Sequence, residues 1–179
     1  MTEKLPKGWV KTTLGEVCVM NPRVPSYESL PDHTEVSFVP MTAVEEESGR
    51  LDASEIRALG SVRRGYTPFR ENDVIFAKIT PCMENGKIAL ATGLKNDLGY
   101  GSTEFFVFRP YEGLLPQFVL HFLLQPSLRE AAEHSFTATV LKIGRDAKNL
   151  LIFVALNTLR LLRGTRQAST SSGSKRRWM

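Results

Sequence analysis

Two cysteines and three histidines in 179 residues leave little material for a disulfide scaffold or a metal centre. Cys18 and Cys82 are read as reduced buried thiols, and with His33, His121 and His134 they show no paired ligand spacing. Long hydrophobic runs are also missing. The longest, Leu150–Leu156, has seven residues, against the ~20 that a helix needs to cross a bilayer. Met1-Thr2-Glu3-Lys4 leads into no apolar signal segment, so the expectation is a soluble, cytoplasmic chain with no membrane partner. Cofactor motifs fail one by one. No Gly-x4-Gly-Lys-Ser/Thr loop occurs, and Gly99-Tyr100-Gly101 lacks the third glycine of a dinucleotide fingerprint. Asn21-Pro22-Arg23 is no methyltransferase Asn/Asp-Pro-Pro-aromatic motif, and no serine or cysteine sits in an elbow. No catalytic residue, cofactor or metal is therefore expected. The enzyme alternative is a magnesium nuclease built from Pro31-Asp32 and Asp146-Ala147-Lys148, pieces more than a hundred residues apart.

What is present is a core. At 42% hydrophobic residues the chain can form one domain. The pI near 9.2 points toward nucleic acid, but the charge is unevenly placed. Residues 142–179 hold nine Lys/Arg and one acid, Asp146, which leaves 14 basic and 18 acidic residues in 1–141. The body is net −4 and the tail net +8, so a DNA site in the body has to be a local patch.

The most informative stretch is Val74–Pro110. Val74-Ile75-Phe76-Ala77 reads as a strand, and Pro81 and Asn85-Gly86 make a polar loop. Ile88-Ala89-Leu90-Ala91 is the returning strand, with Lys78 and Lys87 at the two shoulders of the loop. A glycine-broken link, in which Gly99 and Gly101 suit special backbone angles, leads to a third strand, Glu104–Arg109. Two cations, a hydroxyl, a carboxylate and an amide within ten residues suit a polyanion or base edges better than an apolar ligand.

Elsewhere, Leu14–Met20 reads as a short amphipathic turn or helix, and Val36–Met41 as a strand ending at Pro40. Glu45-Glu46-Glu47 reads as a solvated acidic loop. Leu51–Ser61 fits a short helix or a strand–turn equally, and Pro68–Asp73 reads as a turn. Arg63-Arg64-Gly65-Tyr66 fits a phosphate clamp with a stacking partner, or ordinary solvated charges at a strand end. Leu115–Leu124 and Ser127–His134 read as a helix pair, each started by a proline, with His121 in the core. Trp9 reads as a core plug. Together these predict an α+β domain: a twisted mixed or antiparallel sheet through Val36, Val74, Ile88, Phe105 and Ile152, with the helix pair packed on one face.

Phe76–Lys87 (FAKITPCMENGK), followed by Gly101-Ser102-Thr103-Glu104-Phe105, resembles the target recognition domain of type I restriction–modification specificity subunits. Leu5-Pro6-Lys7-Gly8-Trp9 with Leu14-Gly15-Glu16-Val17, and Gly65-Tyr66-Thr67 with Phe69 and Asp73, are weaker matches. The resemblance covers roughly residues 5–150. It implies a non-catalytic module at 1–156 that reads one half of a split duplex-DNA sequence. It also implies recruitment of methyltransferase (modification) subunits, restriction subunits through them, and a second half-subunit. The DNA-binding residues expected are Lys78, Thr80, Glu84, Asn85, Lys87, Arg63, Arg64, Tyr66, Ser102 and Thr103. Because the Lys78–Lys87 loop is common to readers of different targets, it is expected to grip phosphate or brace the fold. Base reading then falls to Thr42–Tyr66 and Thr92–Ser102. Past Leu156 the resemblance stops, and the Ser/Thr/Gly-rich basic residues 157–179 read as a disordered tail. A frame shift near Phe153–Asn157 or a DNA-tracking arm would each explain it. The competing reading of the whole is a decayed copy acting only as a protein-interaction module.

Overall fold

The computed structural model describes residues 9–23, 29–79, 81–126 and 151–155. Along them run β1 (Trp9–Thr13), α1 (Leu14–Val17), β2 (Cys18–Met20), β3 (Glu35–Val39), β4 (Ile56–Ala58), α2 (Leu59–Val62) and β5 (Thr67–Arg70). There follow β6 (Val74–Ala77), β7 (Ile88–Leu90), β8 (Leu98–Gly101), β9 (Phe105–Pro110), α3 (Pro116–Leu123) and β10 (Leu151–Ala155). The α+β class holds, but the strands do not form one sheet. A first sheet has the order β2-β9-β6-β7, a second β4-β3-β8-β5, and β1 pairs with β10 alone.

Alternation explains the division. All of β6 and β7 is buried, and successive side chains of a strand point to opposite faces. Val74, Phe76, Ile88, Leu90, Phe106 and Phe108 pack with Leu14 and Val17 of α1 and Val119, Leu120 and Leu123 of α3. Their neighbours Ile75, Ala77, Ala89, Phe105 and Val107 turn the other way, onto Val39 and Phe69 of the second sheet. That sheet's outer face, Val36, Phe38, Leu98 and Tyr100, is closed by Leu59 and Val62 of α2. The layers are therefore α1/α3, first sheet, second sheet, α2. A strand buried on both faces reads as a continuous apolar run, which is how VIFA and IALA look. Each fully buried Val, Leu or Phe contributes ~1.5–3 kcal/mol before the entropy cost of ordering it.

β8 corrects two expectations. The glycine-broken link is a central strand, parallel to β3 and antiparallel to β5. Its glycines are there for room rather than for unusual angles, since neither has a positive φ. A Cβ on Gly99 would collide with the Phe69 ring, and one on Gly101 would stand 2.6 Å from the Val39 carbonyl and 2.8 Å from Phe105. The supposed turn Pro68–Asp73 is strand β5 as far as Arg70 and turns only beyond it. It lies at the sheet edge, where a missing N–H is tolerated.

Other assignments are settled locally. Leu51–Ser61 is neither alternative alone: a bridge at Leu51, β4, then the first turn of α2. Pro116 opens α3, its fixed φ suiting a first helical position. His121 faces outward, not into the core, because α3 turns Val119, Leu120 and Leu123 inward. Among the described residues no helix is long and apolar enough to cross a membrane. The second helix, Asp146-Ala147-Lys148, the tail and the Trp9 side chain lie outside the described residues.

Candidate nucleic-acid interface

The register places the loops. β8 ends at Gly101, paired with Thr67 at the start of β5 and Val39 at the end of β3. After three intervening residues β9 starts at Phe105, paired with Ala77 at the end of β6. Phe76 pairs with Ile88 at the start of β7. Four segments therefore emerge at one end of the two packed sheets: 40–47, Tyr66, 78–87 and 102–104. The opposite end carries 71–73 and 91–97.

Of the residues expected to touch DNA, Lys78, Glu84, Asn85, Lys87, Ser102, Thr103 and Tyr66 belong to the first end. Thr80 lies outside the described residues. Lys78 is half-buried, with its ammonium 5.4 Å from the Phe106 ring centroid, and its backbone N–H donates to the Glu104 carbonyl at 2.9 Å. Ser102 and Thr103 occupy the β8–β9 turn. The Ser102 hydroxyl accepts from the Glu104 N–H at 3.1 Å, and Thr103 is exposed. Tyr66 packs edge-on against Phe38, ring centroids 4.9 Å apart, and stays 36% exposed. The Arg57 guanidinium lies over the same Phe38 ring at 3.5 Å, a stack with no signature in the sequence.

The loop's far shoulder is different. Lys87 has a side chain only 16% exposed, and its ammonium donates to the carbonyls of Val44 (2.9 Å) and Met41 (3.4 Å), with Glu46 at 3.9 Å. Asn85 donates its side-chain amide to the same Glu46 carboxylate at 3.0 Å. The acidic loop, expected to be merely solvated, therefore has structural partners. It also runs along the open edge of β7 through bridges Glu46–Lys87 and Gly49–Ala89, covering an edge that would otherwise be free to pair. Glu45 closes this loop: the Ser48 hydroxyl, then Arg50, hold its carboxyl below the ordinary 4.5.

Arg63 and Arg64 are set apart, on the α2 side. Arg63 donates to the Leu30 carbonyl at 2.6 Å and pairs with Asp32 at 3.2 Å. With Gly60 and Arg64 these residues line an open recess of about 460 Å³. Among the described residues Arg50, Arg57, Arg63, Lys87, Lys95 and Arg109 are paired with carboxylates, whereas Lys78, Arg64 and Arg70 are in none of these ion pairs. Thr92–Asp97, half of an expected reading loop, falls at the opposite end. Glu71 holds it by accepting from the N–H groups of Gly93 and Leu94 at 2.9 and 3.0 Å. No group of three or more His, Cys, Asp or Glu among the described residues is placed to hold a metal ion.

No family model matches the chain. Two curated proteins of Escherichia coli do: the specificity subunits of the type I restriction enzymes EcoEI and EcoAI, 37% and 35% identical over 137 residues. These matches cover 76% of this chain and 23% of each relative, so the chain spans about a quarter of their length. In fold it is similar to the crystal structure of the HsdS subunit from Thermoanaerobacter tengcongensis, with TM-score 0.68, 23% identity, and coverage of 96% of this chain and 44% of that one. A structure described for complex assembly and conformational transition of a type I restriction–modification system gives TM-score 0.63 at 23% identity, covering 95% and 43%.

Proposed function

We propose that this chain, which belongs to the type I restriction–modification specificity subunits and corresponds to one domain of them, reads one half of a bipartite duplex-DNA target. The observation that carries the reading is the convergence of 40–47, Tyr66, 78–87 and 102–104 on one end of a rigid pair of sheets. Sites on loops held by a firm scaffold are where recognition concentrates. Lys78 is the phosphate contact of this end, with Ser102 and Thr103 as hydroxyl donors and Tyr66 as the aromatic beside them. Arg64, in none of the ion pairs among the described residues, is a second cation farther out on the α2 side. Thr42–Glu47 supplies the base-reading edge. The module does no chemistry itself, takes no cofactor, works in the cytoplasm, and serves modification subunits and, through them, restriction subunits. Incubated with DNA, magnesium and S-adenosylmethionine, the chain alone should neither cut nor methylate.

The test is selection on random duplexes with a salt titration. A phosphate-gripping reader returns one short sequence, with log K falling linearly in log salt. Lys78→Ala should lower that slope by ~0.9 without changing the selected sequence. A second reading, a pure protein-interaction module, is favoured by Glu45, Glu46, Glu47, Glu84 and Glu104, all at the same end. Binding that is absent, or indifferent to salt, would establish it instead.

A further inference from the structure

We infer that Lys87 is a positioning residue, the anchor that fixes the 41–47 loop, and not a contact to DNA. The inference rests on the base-reading role proposed above for that loop. An ammonium has three donors and no acceptor. Two of Lys87's are used on the carbonyls of Met41 and Val44, and the carboxylate of Glu46 stands beside it at 3.9 Å. Met41 and Val44 follow β3 of the second sheet, whereas Lys87 immediately precedes β7 of the first. One side chain therefore ties the two sheets together at the end where the loops emerge. Its surroundings reinforce the attachment. The Asn85 amide donates to the same Glu46 oxygen, Oε1, that faces Lys87, and the Glu47 N–H donates to the Gly86 carbonyl at 3.1 Å. To reach a phosphate, Lys87 would have to leave these partners and strand the Val44 carbonyl. A lysine spent this way adds nothing to counterion release. It acts on recognition by keeping the loop that touches bases in one shape.

Lys87→Met keeps the apolar stem and removes the donors. In the full 179-residue chain, exchange of the Glu45, Glu47 and Asp52 amides, all bonded within or under this loop, should quicken about tenfold. That corresponds to losing on the order of 1.4 kcal/mol, while the Ile75 and Val107 amides keep their rates. The salt slope should stay that of the parent, and the selected sequence should broaden. A slope lower by ~0.9, with loop exchange and selected sequence unchanged, overturns the assignment. Reductive methylation of the parent chain decides the matter even if the variant does not fold. Lys87 should react slowly with or without duplex, whereas Lys78 should react freely and be shielded by duplex. A Lys87 that reacts freely and is shielded by DNA also overturns it. If the parent selects no sequence at all, the DNA-reading proposal fails separately, and the exchange and methylation results alone decide whether Lys87 anchors the loop.

Discussion

The two ends of the paired sheets solve the same geometric problem with different chemistry. At one end β5 passes to β6 through a short turn whose Asp73 is 1% exposed. Its carboxylate takes two bonds from Arg109, at 2.7 and 2.6 Å, and one from the Arg70 N–H at 2.9 Å. Glu71 pins the neighbouring loop, and Ser37, fully buried, bonds the Ala53 carbonyl and accepts from the Lys95 N–H. At the other end the loops are longer, and the polar groups are half-exposed or exposed. Of their two lysines, Lys87 is held by internal carbonyls and a carboxylate, whereas Lys78 is in none of the ion pairs among the described residues. A closed end fixes the frame, and the more exposed end is the one proposed above for recognition. Charge at the first is architecture; at the second, under the DNA-reading proposal, part of it is for use.

The sharpest way to break this contrast is Asp73→Ala. It leaves the Arg109 guanidinium, 13% exposed, without its partner, and breaking such a buried pair costs about 3–5 kcal/mol. Denaturant unfolding should show that loss, and a loss under about 1 kcal/mol would mean the closed end is not held by this pair. Next comes the pairing of β5 with β8 in the second sheet. Gly99→Ala drives a methyl into the Phe69 ring and should cost about 1–3 kcal/mol. Phe69→Leu in the same chain should recover part of it as a coupling of about 0.5–3 kcal/mol. Strict additivity would show that these two cross-strand neighbours of β5 and β8 do not touch there. By contrast Lys78→Ala should move stability by no more than about 0.5 kcal/mol while lowering the salt slope, because its charge is not part of the frame.

The smallest effects concern the thiols, one at each end. Burial pushes the Cys18 thiol up to about 12 from an ordinary 9.0. Between those values the native state holds a proton that the unfolded chain has lost, so this contribution to stability is fully present below pH 9 and declines as pH rises toward 12. Cys18→Ala should remove that part of the alkaline slope. Cys82, half-buried in the 78–87 loop, should react with a maleimide well before Cys18. Equal rates, read by mass spectrometry, would erase the distinction between the ends.

Much of the frame was legible in the sequence because apolar alternation and turn chemistry are local. β3, β6, β7, β9 and α3 stand close to where VSFV, VIFA, IALA, FFVF and Pro116 put them. β8 was not legible, since Leu-Gly-Tyr-Gly has poor strand propensity and its glycines are required only by Phe69 and Val39 on the flanking strands and by Phe105 of the first sheet. The division into separate sheets was equally hidden, because a strand buried on both sides does not announce which neighbours it has. The same holds for the site. Lys78 and Lys87 look equivalent as letters at the shoulders of one loop. They are separated by partners some forty residues upstream, Met41 and Val44, whose contribution is a carbonyl that every residue possesses. Arg63 and Arg64 looked like part of the same surface, but α2 carries Arg63 to Asp32 and Leu30, and Arg64 lines the same recess.

The pairing of β1 with β10 has a consequence for the chain as a physical thread. Trp9 lies opposite Ala155, and the register continues to Thr13 opposite Leu151. Antiparallel partners stand about 5 Å apart, so the polypeptide enters and leaves through neighbouring points. Everything between is one loop closed by a five-residue zipper. Such a body can be spliced into a host chain without spreading the host's ends. Tension applied through the same two points would meet the zipper first, parting its bonds one pair at a time before it reached either sheet.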